Sequence, residues 1–459
     1  MKVRNIFGIT LSVLLLLLAP GSGLAREPLP TGLSETTDAN TSAATNAPWF
    51  KFEVDTRLDT GQHVSVAVDP WTGRTYVSYY NAADKDLRVA QYMGIGGNCG
   101  PDDSWYCQTV DSEGDVGQYS SIAVKLGVVN ISYHDAGNRD LKWAESSDNP
   151  YNRIWRIRTV DKAIFPSSAG QYTSLKLPAV GSPRISYHFS DPVNGDELRI
   201  ATYVGGYGNC GYGVHAGKWQ CDRIQIGAGL GQYTSLALDG DGNMHIAYYD
   251  KGDGDLWYAT SASGTNCGPG GTTWLCYPVT GSTTDAGKFA SMYVDEGGRF
   301  HIAYYDATND VLKYAVNVGS GGNCGVGGSA QCDTIDTMQA DYHPLGISIA
   351  EDTAGYPIIA YQSYNGSLNV ARPVAAVGLS GGGGNCGPGD LFSTWYCETI
   401  DRSGRFIQWR NGDYVSIAVN PAGLATIAYY RLYTDFTDGN LMVANQRLQI
   451  FLPLTLKDR

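Results

Sequence analysis

The sequence predicts an all-β fold: a seven-bladed β-propeller with four-stranded antiparallel blades, closed into a ring by its N-terminal strand. Three observations carry this reading. A Gly-Gln-Tyr-type segment recurs seven times at blade-sized intervals. Each interval divides into short strand-like runs separated by Gly, Asp and Asn turns. The last interval lacks its fourth run, and a spare copy of that run stands ahead of the first interval.

Taken in chain order, residues 1–25 form a targeting segment. Lys2 and Arg4 make a basic start, residues 6–20 are apolar, and Gly23-Leu24-Ala25 supplies small residues for cleavage. This is the pattern of a secretory signal peptide, removed after Ala25. The alternative is an uncleaved anchor, but the apolar run is only ~15 residues where a span needs ~20. Residues 26–47 are rich in Thr, Ser, Ala, Asn and Pro without apolar periodicity, which reads as a flexible linker.

The repeats occupy residues 48–446. Gly117-Gln118-Tyr119-Ser120-Ser121 matches Gly231-Gln232-Tyr233-Thr234-Ser235, with further copies at Gly61, Gly170, Gly287 and Gly412 and a degenerate one before Ser348. The aligned serines are 65, 121, 174, 235, 291, 348 and 416, spaced by 56, 53, 61, 56, 57 and 68 residues. Units of this size are propeller blades rather than solenoid turns. In each unit strand a follows the serine. Strand b is of the type His245-Ile246-Ala247-Tyr248-Tyr249, strand c of the type Leu256-Trp257-Tyr258-Ala259, and strand d of the type Trp155-Arg156-Ile157-Arg158-Thr159-Val160. No segment reads as a helix.

Strand d opens on Trp105, Trp155, Trp219, Trp274 or Trp395, but the last repeat has no such strand. Trp49-Phe50-Lys51-Phe52-Glu53-Val54-Asp55 is the spare copy. It is expected to complete the seventh blade, which removes an open sheet edge. Within the tail, residues 447–459, the segment 447–456 could compete for that edge.

The ten cysteines fall into five couples: Cys99 with Cys107, Cys210 with Cys221, Cys267 with Cys276, Cys324 with Cys332, and Cys386 with Cys397. The first of each sits in Asn-Cys-Gly and the second at the start of strand d. Each couple therefore flanks one c–d hairpin, within disulfide reach. Five local disulfides are expected, which fits an exported protein. Zinc is disfavoured because no His recurs beside the couples.

Composition narrows the partners. A formal net charge of −13 argues against nucleic acid or anionic lipid as the main partner. Hydrophobic content of 43% is enough for a sizeable core and excludes wholesale disorder. No later segment is long enough to span a membrane.

The repeats, with their Ile-Ala/Ser-Tyr-Tyr/His-Asp and Asp-Leu-Lys-Tyr-Ala strands, resemble exported bacterial seven-bladed β-propeller repeat proteins over residues 49–445. The second c–d loop, Ser146-Ser147-Asp148-Asn149-Pro150 before Trp155, resembles a degenerate Asp-box of sialidase-type propellers. That resemblance implies sialidase-like blade topology. It does not extend to sialidase activity, because no arginine triad or Tyr-Glu nucleophile pair is recognisable. The Leu452-Pro453-Leu454 tail looks like a short tail of exported proteins from some filamentous bacteria, and reads equally well as an edge strand.

In a four-stranded blade the d–a and b–c connections share one face of the disc, and the a–b and c–d turns share the other. The first face is expected to gather polar aromatics: Tyr80, Tyr133, His134, Asp135, Tyr187, His188, Tyr249, Asp250, Tyr305, Asp306, Tyr430 and Arg431 from strand b ends, and His63, Tyr119, Tyr172, Tyr233 and Tyr414 from d–a segments. Tyr pairs a flat apolar ring with a hydrogen-bonding tip, a combination that suits sugars. The competing reading packs these tyrosines between blades. Departures from the repeat, at His134, His188, Phe189, Gln362 and Arg431, are then the better site candidates. His134 and Asp135 could form a base and its orienter, although neighbours on a strand point to opposite faces.

No cofactor is expected. Asp239, Asp241 and Asn243, and Asp250, Asp253 and Asp255, have oxygen spacing that Ca²⁺ could use, but the later Glu of an EF-hand is absent and such residues are ordinary turn formers. The expectation is thus a secreted or cell-surface monomer acting as a non-catalytic binding module for extracellular glycan or another surface polymer, or for protein. A glycoside hydrolase or lyase is the alternative, and a structural surface protein the third.

Overall fold

The computed structural model describes residues 47–147, 149, 153–281, 284–338, 346–363, 366–379, 383–387, 394–402, 415–432 and 439–447. The expected signal peptide, the linker up to residue 46, Asp148, Tyr414 and the tail beyond residue 447 lie outside the described residues. Seven four-stranded antiparallel sheets follow one another along the chain. Their innermost strands, a, are Thr60–Val68, Val116–Lys125, Ser168–Lys176, Leu230–Leu238, Ala286–Val294, Ile347–Glu351 and Val415–Val419. The helical elements among the described residues are five short 3-10 turns of three or four residues.

Closure is as expected. Trp49–Asp55 is the outermost strand of blade 7 and pairs with Gly439–Gln446, Trp49 opposite Gln446 and Phe52 opposite Val443. The core lies between blades rather than at one centre. Strand b is sandwiched on both faces, so Phe300–Asp306 is buried at every position. One cluster joins Tyr76, Leu87 and Val89 of blade 1 to Ile122, Ile131 and Tyr133 of blade 2, and each other interface repeats the arrangement.

The recurring serines explain why the ring closes. Ser65 Oγ accepts from Ile122 N at 3.2 Å, and Ser121 from Leu175 N at 3.0 Å. Ser174 accepts from Leu236 N and Ser235 from Met292 N, both at 3.0 Å. Ser291 accepts from Ile349 N and Ser348 from Ile417 N, both at 3.1 Å. Ser416 then accepts from Val66 N at 3.0 Å, which returns the cycle to blade 1. Strand a is the innermost strand of every sheet. Its inward N–H would otherwise lack a sheet partner, and each serine supplies one.

A second link depends on residue pairs. Ser120, Thr173 and Thr234 donate to the carbonyls of His63, Tyr119 and Tyr172 in the preceding blade, at 2.8, 3.0 and 2.8 Å. The same hydroxyls meet Ser78, Ser132 and Ser186 of strand b, at 2.8, 2.6 and 2.8 Å. In the other four interfaces both positions are apolar: Ala247 with Ala290, Ala303 with Ile347, Ala360 with Val415, and Ala428 with Val64. At this pair of positions a hydroxyl on one blade is always matched by a hydroxyl on the other, so neither is left without a partner.

All five expected disulfides are present, with Cα–Cα distances of 5.2–6.0 Å. The Asn of each Asn-Cys-Gly has a role the sequence did not disclose. In each hairpin, Asn98, Asn209, Asn266, Asn323 or Asn385 donates to the carbonyl and accepts from the N–H of the second cysteine, at 2.6–3.1 Å. The side chain thus extends the hairpin ladder by one rung. The following Gly has two reasons to be Gly: Gly268 has φ +81°, and a Cβ there would stand 2.4 Å from Trp274 Cδ1.

The c–d hairpin of blade 2 has no cysteines, and Arg153 closes it instead. Its guanidinium donates to Ser146 Oγ and Ser147 O of that hairpin at 2.9 and 3.0 Å, and to Gly127 O at 2.8 Å. It reaches Gln91 Oε1 at 2.8 Å and Tyr76 Oη at 3.3 Å in blade 1.

Candidate functional site

Most of the expected strand b residues are inside the molecule. Tyr133 and Tyr187 are fully buried, and each donates at 2.6 Å to an aspartate on the outer strand of the preceding blade, Asp111 or Asp161. Lys142 meets Asp111 at 2.6 Å and Arg199 meets Asp161 at 2.8 Å. Burial, and then the neighbouring aspartate, pushes both phenols well above their usual range. The unit is therefore an interblade Tyr–Asp–cation latch, which recurs as Tyr79 with Asp55 and Arg88, and as Tyr429 with Asp401 and Arg431.

The aspartates cap their own turns. Asp135 Oδ1 accepts from Asn138 N at 2.9 Å, Asp250 from Gly252 N at 2.8 Å, and Asp306 from Asn309 N at 3.1 Å. All three are buried. Asp239 likewise accepts from Asp241 N and Asn243 N, at 3.0 and 2.8 Å. Among the described residues no group of three His, Cys, Asp or Glu side chains is arranged to hold a metal.

His134 and His188 are 4% and 3% exposed. His134 Nδ1 lies 2.9 Å from Ala169 O, and His188 Nδ1 lies 3.2 Å from Gln171 Oε1. Burial holds His134 below its ordinary pKa. His134 turns to the next blade while Asp135 turns into its own b–c loop, so the structure does not form the expected base and orienter. Phe189 is buried beneath Arg199, whose Cζ lies 3.5 Å from the ring centroid. Gln362 is part-buried beside Gly346.

The outer tyrosines latch blades at the face. Tyr249 donates to Asp285 and Tyr430 to Asp59 of the following blade, both at 2.5 Å. Tyr80 donates to Asp115 at 2.8 Å. Tyr305 instead donates to Asp310 of its own blade at 2.5 Å.

The d–a segments behave differently. After Gly-Gln, or Gly-Lys in blade 5, the strand bulges, and the next residue turns left-handed: His63 at φ +50°, Tyr119 and Tyr172 at +53°, Tyr233 at +52° and Phe289 at +57°. The bulge swings each side chain out of the ladder and into the mouth of the central channel. Neighbouring rings lie 4.6–4.7 Å apart, forming a continuous arc from His63 through Tyr119, Tyr172 and Tyr233 to Phe289. Tyr80, His134 and His188 brace it edge-on and Tyr249 at a tilt, each lying 6.0–6.2 Å from an arc ring. The arc borders a cavity of about 160 Å³. In blade 6 the matching position is Gly346, so the arc is interrupted there.

The second concavity lies at the closure seam. A cleft of about 810 Å³ runs between the outer strand of blade 7 and the first c–d hairpin, and Lys51, Glu53, Asp55, Arg57, Arg88 and Arg431 line it. Of the expected site residues, His63, Tyr119, Tyr172 and Tyr233 thus reach the channel mouth and Arg431 the seam.

No family model and no curated protein matches the chain. Similar solved structures include a protein of unknown function from Dyadobacter fermentans, 11% identical, covering 88% of this chain and 98% of that one with a TM-score of 0.44. Others are a polysaccharide lyase (11% identical, 84% and 90% covered, TM-score 0.44) and a lectin in complex with alpha-methyl fucoside (13%, 70% and 94%, TM-score 0.39). Similarity at this level says nothing about what this chain binds.

Proposed function

We propose that this chain is an exported, non-catalytic glycan-binding propeller whose channel mouth takes a sugar ring. One observation carries the reading. Five consecutive blades hold an aromatic or imidazole ring in the left-handed region at the channel mouth, where a non-Gly residue costs about 1 kcal/mol or more. Blade 6 carries Gly346 at that position, so the blade architecture itself does not demand a ring there. Planar rings with phenol tips, beside the hydroxyls of the d–a segments, suit the C–H face and the hydroxyls of a saccharide. Export is supported by the signal-type N-terminus and by five disulfides, which persist in oxidising compartments.

The test is a glycan array, followed by titration of each hit against Tyr172→Ala and Tyr172→Phe. Losing one stacking ring should weaken binding about tenfold, and Phe should retain most of it. Failure to bind any glycan, or affinity indifferent to Tyr172→Ala in a protein of unchanged melting temperature, overturns the proposal. Turnover of a bound polysaccharide overturns its non-catalytic part.

A further inference from the structure

We propose that the seam cleft is a second site, specific for an acidic saccharide: a hydroxyl-bearing ring that carries a carboxylate. Its volume of about 810 Å³ exceeds that of the channel mouth, and falls within the ~300–1,000 Å³ typical of small-ligand sites. Four cations line it, Lys51, Arg57, Arg88 and Arg431, against the two carboxylates Glu53 and Asp55. Asp401 behind the cleft, paired to Lys51 and Arg431, brings the count to four cations against three carboxylates, still a local excess in a chain of net charge −13.

The cations are pre-set. Arg88 is 2% exposed and fixed by Asp55 at 3.0 Å and Thr109 at 2.8 Å. Lys51 and Arg431 share Asp401, at 3.1 and 2.6 Å. Arg431 occupies the strand b end where blades 2, 4 and 5 carry the turn-capping Asp135, Asp250 and Asp306. Asp401 holds one edge of its guanidinium at 2.6 Å, and the side chain stays 22% exposed where it lines the cleft. A guanidinium anchored on one edge offers the other as a donor toward a carboxylate.

The rest of the lining selects the ligand class. Glu53 and Asp55 border the same cleft, and carboxylate oxygens accept from sugar hydroxyls. The two carboxylates disfavour a densely charged phosphate group, which cations alone would welcome. Alternating cations and hydroxyl acceptors match a uronate ring.

The experiment titrates the full chain with tetragalacturonate and, in parallel, with neutral maltotetraose, at low and high salt. Tetragalacturonate should bind, with affinity falling as salt rises. Arg57 is exposed, so Arg57→Ala should fold normally, which its melting temperature verifies. It should weaken tetragalacturonate about tenfold, with partial recovery in Arg57→Lys. No binding of tetragalacturonate, binding no tighter than maltotetraose, or affinity unchanged in Arg57→Ala each overturns the proposal. Binding of maltotetraose alone would leave the channel-mouth reading standing while removing this one.

Discussion

Arg153 offers a quantitative test of how the ring is held. It stands in the hairpin of blade 2, where five other blades carry a disulfide, and it is 4% exposed. Arg153→Ala removes the donors of Gln91 Oε1, Gly127 O and Ser147 O. A buried acceptor left without a donor costs about 1–3 kcal/mol. Water entering the vacated space offsets part of the sum, which leaves a loss of about 3–5 kcal/mol. That equals or exceeds the ~2–4 kcal/mol of a typical disulfide. For a ring of about 400 residues, unfolding entropy near ~0.8 kcal/mol per kelvin converts this to a fall of about 4–6 °C in melting temperature. Differential scanning calorimetry reads it directly. Arg153→Lys should recover less than half, because an ammonium cannot span acceptors on three segments. A melting temperature within about 1 °C of wild type in Arg153→Ala would refute the staple.

Two further outcomes follow from the interfaces. Ser186→Ala and Thr234→Ala should each cost about 1–2 kcal/mol, and the double variant clearly less than their sum, because blade 4 already meets blade 5 through Ala247 and Ala290; strict additivity in denaturant titrations would contradict the paired-hydroxyl account. Burial, and then the charge of His134, holds His63 down to about 3. The unfolded chain takes up that proton first, so the stability from neutral His63 is full above the ordinary 6.5 and lost as pH falls toward 3. Asp140 and Asp255, pushed up to about 6 by burial, act in the opposite sense and gain stability as pH falls. The comparison between wild type and His63→Phe isolates the histidine: the variant, which copies Phe289, should lose less melting temperature on acidification, and equal losses would contradict the assignment.

The architecture was legible because a repeat states its rule several times. Seven aligned serines, five Asn-Cys-Gly couples and one displaced strand d copy sufficed for blade count, disulfides and closure. The pairing of Ser78, Ser132 and Ser186 with hydroxyl residues one blade later was also present in the sequence, and only a blade-to-blade alignment exposes it. The site was less legible for physical reasons. Alternation along a strand separates core from surface only when one face meets solvent. Strand b meets a blade on both sides, so Tyr133, His134 and Asp135 are all buried despite their polarity. At the channel mouth a bulge overrides alternation, and no periodicity foretells which way Tyr119 points. The seam cleft combines Lys51 with Arg431, which lie at opposite ends of the repeat array, and only closure makes them neighbours. Arg431 was visible as a departure from the repeat, but not its surroundings.

The register of the closing strand sets how the ring would be carried. Trp49 enters blade 7 opposite Gln446, and Arg447 N donates to Pro48 O at 3.3 Å. Both flanks of the ring therefore emerge side by side on the c–d face, while the aromatic arc opens on the d–a face. A ring tethered through either flank to a wall, a filament or a bead would turn its disulfide hairpins toward the support and its arc toward the medium. Immobilisation through residues beside Ala47 or Arg447 should thus leave the channel mouth accessible, whereas coupling through the b–c turns would mask it.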